Sequence, residues 1–499
     1  MAINSKNEIR AGIFLNYINI VLLTLSSLIV TPVLINGMGL SMYGVYVVVF
    51  SITTFFNAGD FGIAIPVIRN IVEFKTSNNK EGLENYLFKT FFVYLLFASV
   101  AFVICSIIYF SAPILFEKRF NINEIHMFKK MFFIMTINCT LLFFVNYFFA
   151  IITAHDNFPF TRINHIIRAI LRTVLLFLIV THSFEPYAAF LLDLMLTVLL
   201  LASYMIFVFL KMGIVIKNHN ISARVKATLN AMLLSYWMAM SENASGTLCP
   251  MIIAASLGTE DTSRFSIAIT FITIYIQLSA TLSQLRMPML SKLWFAADNR
   301  DGFWSYTLTS GRIQTIALGF ILVGFIILGK PFLNIWVGSD FNASYMIALL
   351  IMTAMFLSLS QSMLEVSLYA QNKYLMRSVV LFASSAISMA LVWIFVRIFG
   401  LMGSGYAIMI TTILFNFIGM NLYYRRVYPK MNEFNMEIIM KMLIPVSVSS
   451  IVGLIIVNIS ANSILLSLLG GVVGISVYLV LVYLTYFKGI PIKDLLPSE

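Results

Sequence analysis

The sequence is poor in charge. Asp, Glu, Lys and Arg make up 11% of its 499 residues, against 60% hydrophobic residues. Soluble domains carry roughly a quarter charged residues, so this composition excludes an ordinary soluble protein. Cysteine is also scarce. Cys105, Cys139 and Cys249 each fall inside an apolar run, with no C-x-x-C and no His/Cys cluster at ligand spacing. They read as small core residues, and neither a metal nor a cofactor is expected. There is no G-x-x-x-x-G-K-[ST] phosphate cradle, so ATP is not the direct fuel of this chain. Ten-residue segments of alternating polarity are missing as well, which argues against a membrane β-barrel.

What the chain has instead is one long apolar run after another. Read in order, candidate spans lie near 12–35, 43–68, 86–110, 128–152, 160–181, 186–210, 229–257, 264–288, 312–337, 344–370, 376–399, 402–424, 439–459 and 463–487. That predicts an all-α integral membrane protein of about 14 transmembrane helices. If the N-terminus is cytoplasmic, alternate loops collect most of the 32 basic residues. Only Lys118, Arg119, Lys129, Lys130, Arg264, Lys330 and Arg397 fall elsewhere. The positive-inside pattern therefore places both termini in the cytoplasm and explains the net charge of +11 without nucleic acid. Outer loops are short, the longest being Ser111 to Met127. None has room for a soluble catalytic domain.

The stretch Thr161 to Arg172, TRINHIIRAILR, stands out from its surroundings. At about 100° per residue, Arg162, His165, Arg168 and Arg172 fall within an arc of roughly 120°. Ile163, Ile166, Ile167, Ile170 and Leu171 cover much of the remaining surface. Arg172 lies about 18 Å from the inner end of its span, too deep for easy snorkelling. Two readings follow. Either the face lines a wet cavity that attracts an anion, or Arg172 is neutralised by one structural acid. Arg168 and Arg172, with His165 as a third group, are the candidates for binding phosphate, because the guanidinium fork pairs bidentately with it. Arg69, Arg286 and Arg312, near the inner ends of their spans, are candidates for capturing an anionic headgroup; anchoring a helix to the interface is the alternative.

Glu242 interrupts an apolar span within Ser241-Glu242-Asn243-Ala244-Ser245. It is expected either to pair with Arg172 or to carry a coupling ion. Asp60, Asp193 and Glu365 lie nearer span ends, where solvation or capping is expected, and Asp60 is kept beside Glu242 as an ion-coupling candidate. Tyr275, Gln277 and Gln284 are further candidates, for sugar hydroxyls.

A weak internal repeat runs through the chain at a shift of roughly 219 residues: Pro32 and Gly39 answer to Pro250 and Gly258, and Tyr187, Ala188 and Tyr204 to Tyr406, Ala407 and Tyr423. The shift predicts two six-helix bundles, residues 1–215 and 216–430, with a substrate path between them. Residues 431–499 then form two additional transmembrane helices. Pro32 and Pro250 are expected to bend the first span of each bundle.

The segment TPVLINGMGLSMYGVYVVVFSITTFFNAGDFGIAIPVIRN, from Thr31 to Asn70, resembles the opening of the polysaccharide repeat-unit (O-antigen, Wzx-type) flippases. These belong to the multidrug/oligosaccharidyl-lipid/polysaccharide exporter superfamily. The matching features are Pro32 before a loop, Gly39, then Tyr43-Gly44-Val45-Tyr46, and Asp60-Phe61-Gly62 followed by Arg69. Leu257-Gly258 followed by Arg264-Phe265 is similar to a later turn of that family, although its usual tyrosine is absent. The resemblance implies a non-enzymatic transporter of a bacterial cytoplasmic membrane. It would carry an undecaprenyl-pyrophosphate-linked oligosaccharide to the outer leaflet by alternating access, beside a polymerase and a chain-length regulator. A span count near fourteen is closer to the lipid II flippase branch. A multidrug exporter and, from another class, an O-antigen polymerase are the remaining alternatives; the polymerase is expected to carry a large outer loop that this chain lacks.

Overall fold

In a computed structural model of the chain, residues 22, 24–58, 60–182, 185–218, 225–284, 286–295, 300–371, 373, 375–459 and 464–487 are described. Backbone groups in hydrocarbon must bond within their own segment or in a closed barrel, and apolar runs this long favour helix. Helices are what form, and no strand occurs among the described residues. In chain order they are α1 (Thr24–Met38), α2 (Leu40–Ala58), α3 (Asp60–Thr76), α4 (Lys80–Phe116), α5 (Ile122–Ala154), α6 (Phe158–His182) and α7 (Ala188–Ile206), the last continued by a π-helical turn, Phe207–Lys211. Then come α8 (Val225–Ser256), α9 (Thr259–Gln284), α10 (Met287–Phe295), α11 (Arg300–Trp336), α12 (Asn342–Leu359), α13 (Ser362–Ala370) and α14 (Leu375–Phe399). The chain closes with α15 (Met402–Thr411), α16 (Met420–Val427), α17 (Met431–Phe434), α18 (Lys441–Ile459) and α19 (Ile464–Val482). Among the described residues 11 helices are long and apolar enough to cross a membrane, and three shorter apolar helices accompany them. The protein is a multi-pass membrane protein.

Several boundaries differ from the sequence reading. The expected outer loop from Ser111 to Met127 is mostly helix, because α4 runs on to Phe116 and α5 begins at Ile122. A capping box starts α5: the Glu124 amide donates to Asn121 Oδ1 and the Asn121 amide to Glu124 Oε2, each at 2.8 Å. Arg312 is likewise not near a helix start, since α11 begins at Arg300. The span expected at 344–370 is broken between α12 and α13, where Gln361 N bonds to Ser358 O and Leu364 N to Gln361 O. Pro32 and Pro250 both lie inside helices, in α1 and α8.

The chain forms two compact units, Met1–Ser263 and Arg264–Glu499. In the first, α5 is the central helix: it packs against α2, α3, α4 and α7. Apolar residues all around its circumference suit that position. Of its most apolar window 56% is buried, against 11% for α6, which is therefore largely a surface helix with its apolar side turned outward. In the second unit α18 and α19 pack on each other and on α11. There Tyr478 OH donates to Ile316 O at 2.7 Å.

Within the first unit the start of α2 lies against the start of α9 so closely that a Cβ on Gly44 would overlap the Thr259 carbonyl. Backbone cannot move aside as a side chain can. Gly44→Ala is expected to destabilise the protein by about 1–3 kcal/mol, the usual cost of overpacking; thermal unfolding in detergent measures it, and an unchanged midpoint would contradict the close approach.

Candidate functional site

Helices α6 and α7 form an antiparallel pair in the first unit. Positions equidistant from the turn between them face each other. Phe160 stacks on Phe207 with ring centroids 3.9 Å apart, and Ser203 Oγ lies 3.3 Å from Asn164 Oδ1. His165 Nε2 is 3.4 Å from the Tyr204 hydroxyl. Arg168 Nη2 donates to Thr197 Oγ1 at 2.9 Å. Deepest along the pair, Arg172 meets Asp193. Its Nε donates to Oδ1 at 2.6 Å and its Nη2 to Oδ2 at 3.1 Å, a bidentate fork, and Nη2 also reaches the Tyr46 hydroxyl of α2 at 3.1 Å.

Four groups predicted from spacing alone thus do share one face of α6, and that face is turned onto α7. The other face is exposed at Ile163, Ile167, Ile170 and Leu171. The acid opposite Arg172 corrects the sequence reading. It is Asp193, which lies 3% exposed within α7 instead of being solvated at a span end. A charge at membrane depth costs about 2.5–3.5 kcal/mol on insertion scales, and the fork removes much of that cost. The electrostatic balance of the pair follows from sequence. No acid lies between Asp156 and Glu185, and Asp193 is the single acid of α7. With Arg172 neutralised, Arg162 and Arg168 leave the α6–α7 pair net positive. Arg168 binds a neutral hydroxyl and keeps guanidinium donors for a further acceptor.

The remaining candidates are dispersed. Arg69 is exposed on α3. Arg286, at the junction of α9 and α10, donates to Ser310 Oγ at 2.7 Å. Arg312 pairs with Glu437 at 3.0 Å. The side chains of Glu242, Asp60 and Gln284 lie outside the described residues. Tyr275 is fully buried and spends its hydroxyl on Leu318 O at 3.3 Å, so it is a packing residue and not a free sugar contact. Gln277 is exposed on α9.

Spacing within α6 could not reveal Asp193, Thr197 or Tyr46. The first two are nonetheless legible by a different rule: where two consecutive helices pair antiparallel, positions equidistant from their connection face each other, which sets Arg172 opposite Asp193 and Arg168 opposite Thr197. Tyr46 carries no such signal, because it arrives from a helix 126 positions away in sequence.

No protein-family model matches this sequence, and no curated protein matches it. Solved structures do resemble it. One is the lipid II flippase MurJ in an inward closed conformation, with a TM-score of 0.73 at 15% identity over 96% of this chain and 99% of that one. Another is an inward-facing multidrug resistance MATE family transporter of the MOP superfamily, with a TM-score of 0.66 at 13% identity over 82% of this chain and 96% of that one. A third is the MATE multidrug transporter DinF-BH, with a TM-score of 0.60 at 16% identity over 84% of this chain and 95% of that one. At these identities the likeness is one of fold, an all-helical architecture that these proteins share.

Proposed function

We propose that this protein is a flippase of the MOP superfamily. In this reading it carries an undecaprenyl-pyrophosphate-linked oligosaccharide repeat unit, of O-antigen or capsule type, from the cytoplasmic to the outer leaflet by alternating access. The observation that carries the proposal is the basic face of α6, whose three arginines meet one carboxylate, Asp193, within the α6–α7 pair. A sugar pyrophosphate cannot cross hydrocarbon unaided, and fixed guanidinium groups at membrane depth offer its phosphates a partner that stays charged at any relevant pH. Arg168 would be the principal phosphate contact, since its present partner is a neutral hydroxyl. His165 adds a second donor one turn away, and Arg172 joins when phosphate competes with Asp193. Arg69 and Arg286 would receive the headgroup at the membrane surface, with Arg312 free to help only if its pair with Glu437 opens. Glu242 and Asp60 remain the proposed ion-coupling acids.

The test is deletion of the gene with analysis of surface polysaccharide and lipid-linked intermediates, followed by complementation. Loss of surface polymer with repeat units held on the cytoplasmic leaflet is the expected result. A charge-assisted hydrogen bond is worth about 1.5–3 kcal/mol, so Arg168→Ala should slow translocation on the order of tenfold to a hundredfold at normal protein level, with Arg168→Lys intermediate. Wild-type translocation by Arg168→Ala would remove that residue from the mechanism.

One observation favours a second reading. The likeness to the lipid II flippase extends over 96% of the chain, whereas the multidrug transporters cover 82% and 84%. Rescue of cells depleted of their own lipid II flippase would move the substrate to lipid II. A multidrug exporter is less well supported, because a net positive helix pair suits anions.

A further inference from the structure

At the Phe160 and Lys211 end of the same helix pair lies a groove whose lining includes none of the residues proposed to bind phosphate. It has a volume of about 460 Å³ and is lined by Phe160, Ser203, Ile206, Phe207, Leu210 and Lys211. The stacked rings of Phe160 and Phe207 belong to it. Its rim is apolar and outward-facing, with Ile206 59% and Leu210 80% exposed. Such surface on a membrane-spanning helix faces lipid. One end is cationic: the exposed Lys211 ammonium stands 5.0 Å from the centroid of Phe207.

Three observations combine. First, the groove lies where α7 leaves α-helical geometry. Phe207, Leu210 and Lys211 lie on the π-helical turn Phe207–Lys211, where Met212 N reaches back to Phe207 O at 3.0 Å. A π-turn costs hydrogen-bond quality and is found disproportionately at functional positions. Second, the charge is one-sided. Arg162 lies near the start of α6 and Lys211 and Lys217 at and beyond the end of α7, while no acid lies between Asp193 and Asn218 or between Asp156 and Glu185. Asp156 itself pairs with Lys75 at 3.6 Å. Third, the positive-inside pattern assigns this end to the cytoplasmic leaflet, where anionic lipids concentrate and where basic pockets between transmembrane helices bind their headgroups.

We infer that the α6–α7 groove is a binding site for an anionic phospholipid of the cytoplasmic leaflet, with one acyl chain against Phe160, Ile206, Phe207 and Leu210 and the phosphate on Lys211. The size of the groove is that of a small-ligand site, suited to part of a single acyl chain, and the isoprenoid carrier of a transport substrate is much longer. The site is independent of the transport reading: it concerns a lipid that stays bound.

The test uses the full-length protein in nanodiscs and in detergent, with phosphatidylglycerol, phosphatidylcholine and undecaprenyl phosphate as probes, and reads lipid adducts by native mass spectrometry. Phosphatidylglycerol should be retained over phosphatidylcholine. A surface lysine contributes about a fivefold factor toward an anionic lipid, so Lys211→Ala should weaken retention about fivefold and Lys211→Arg should restore it. Leu210→Trp, which fills the groove without touching charge, should displace the lipid while thermal stability stays unchanged. Equal retention of the two phospholipids, or retention unaffected by both Lys211→Ala and Leu210→Trp, would overturn the inference. Exclusive capture of undecaprenyl phosphate would overturn it in favour of the carrier. Translocation is assayed separately on the same variants, so failure of lipid capture with intact translocation leaves the flippase proposal standing.

Discussion

Asp193→Ala should damage the protein more than Arg172→Ala, although both break the same fork. Removing the carboxylate strands a guanidinium on α6 at membrane depth, and arginine cannot shed its proton. Removing the guanidinium strands a carboxyl group, which a proton can neutralise. Breaking a buried pair from one side typically costs about 3–5 kcal/mol, and the alanine at 193 is expected to reach that range. Membrane-fraction abundance and thermal unfolding in detergent measure the difference. Asp193→Ala should be depleted and unfold early; Arg172→Ala should be nearer wild type in amount yet fail to restore surface polymer. The double variant should recover abundance without recovering transport. If the two single variants were equally abundant and equally active, the fork would be neither a structural requirement nor part of a phosphate path.

The second large effect is expected at Glu124. Its side chain is 4% exposed and receives the Asn121 amide at 2.8 Å, the Thr259 hydroxyl at 2.8 Å and the Ser41 hydroxyl. Those donors sit at the first turns of α5, α9 and α2, so the carboxylate lies where three helix N-termini meet, the favourable end of each dipole. Nearby, Ser263 Oγ donates to Leu40 O at 2.6 Å. Glu124→Ala takes the acceptor from the buried Thr259 hydroxyl, the half-buried Ser41 hydroxyl and the Asn121 amide, and is expected to cost roughly 3 kcal/mol. Glu124→Gln preserves the shape and part of the bonding and should cost less. An unfolding temperature that Glu124→Ala leaves unmoved would show that the three helix starts hold together without the carboxylate.

These two acids mark where sequence reasoning reaches and where it stops. Span counting leaves Glu124 inside a loop, although Asn121 followed three residues later by glutamate is a helix-start signature that needs no tertiary information. Reading each helix alone puts Asp193 at a span end. Folding α6 and α7 about their shared turn brings Arg172 to Asp193 and Arg168 to Thr197 without any further knowledge. Tyr46, which completes the fork from α2, belongs to neither category.

Composition and periodicity determined by themselves that this is an all-helical, multi-pass membrane protein, because hydrocarbon tolerates only self-satisfied backbone and the apolar runs are long. They also determined that four basic and imidazole side chains share one face of α6, since a helix fixes the angles between its own residues. Tertiary structure alone decided what α6 and α7 could not supply between them: that Tyr46 of α2 completes the Arg172 fork, and that Glu124 joins the starts of α2, α5 and α9. Contacts across 126 or 135 positions of sequence depend on how helices pack. Packing is set by the whole set of side-chain shapes, and no local period encodes it.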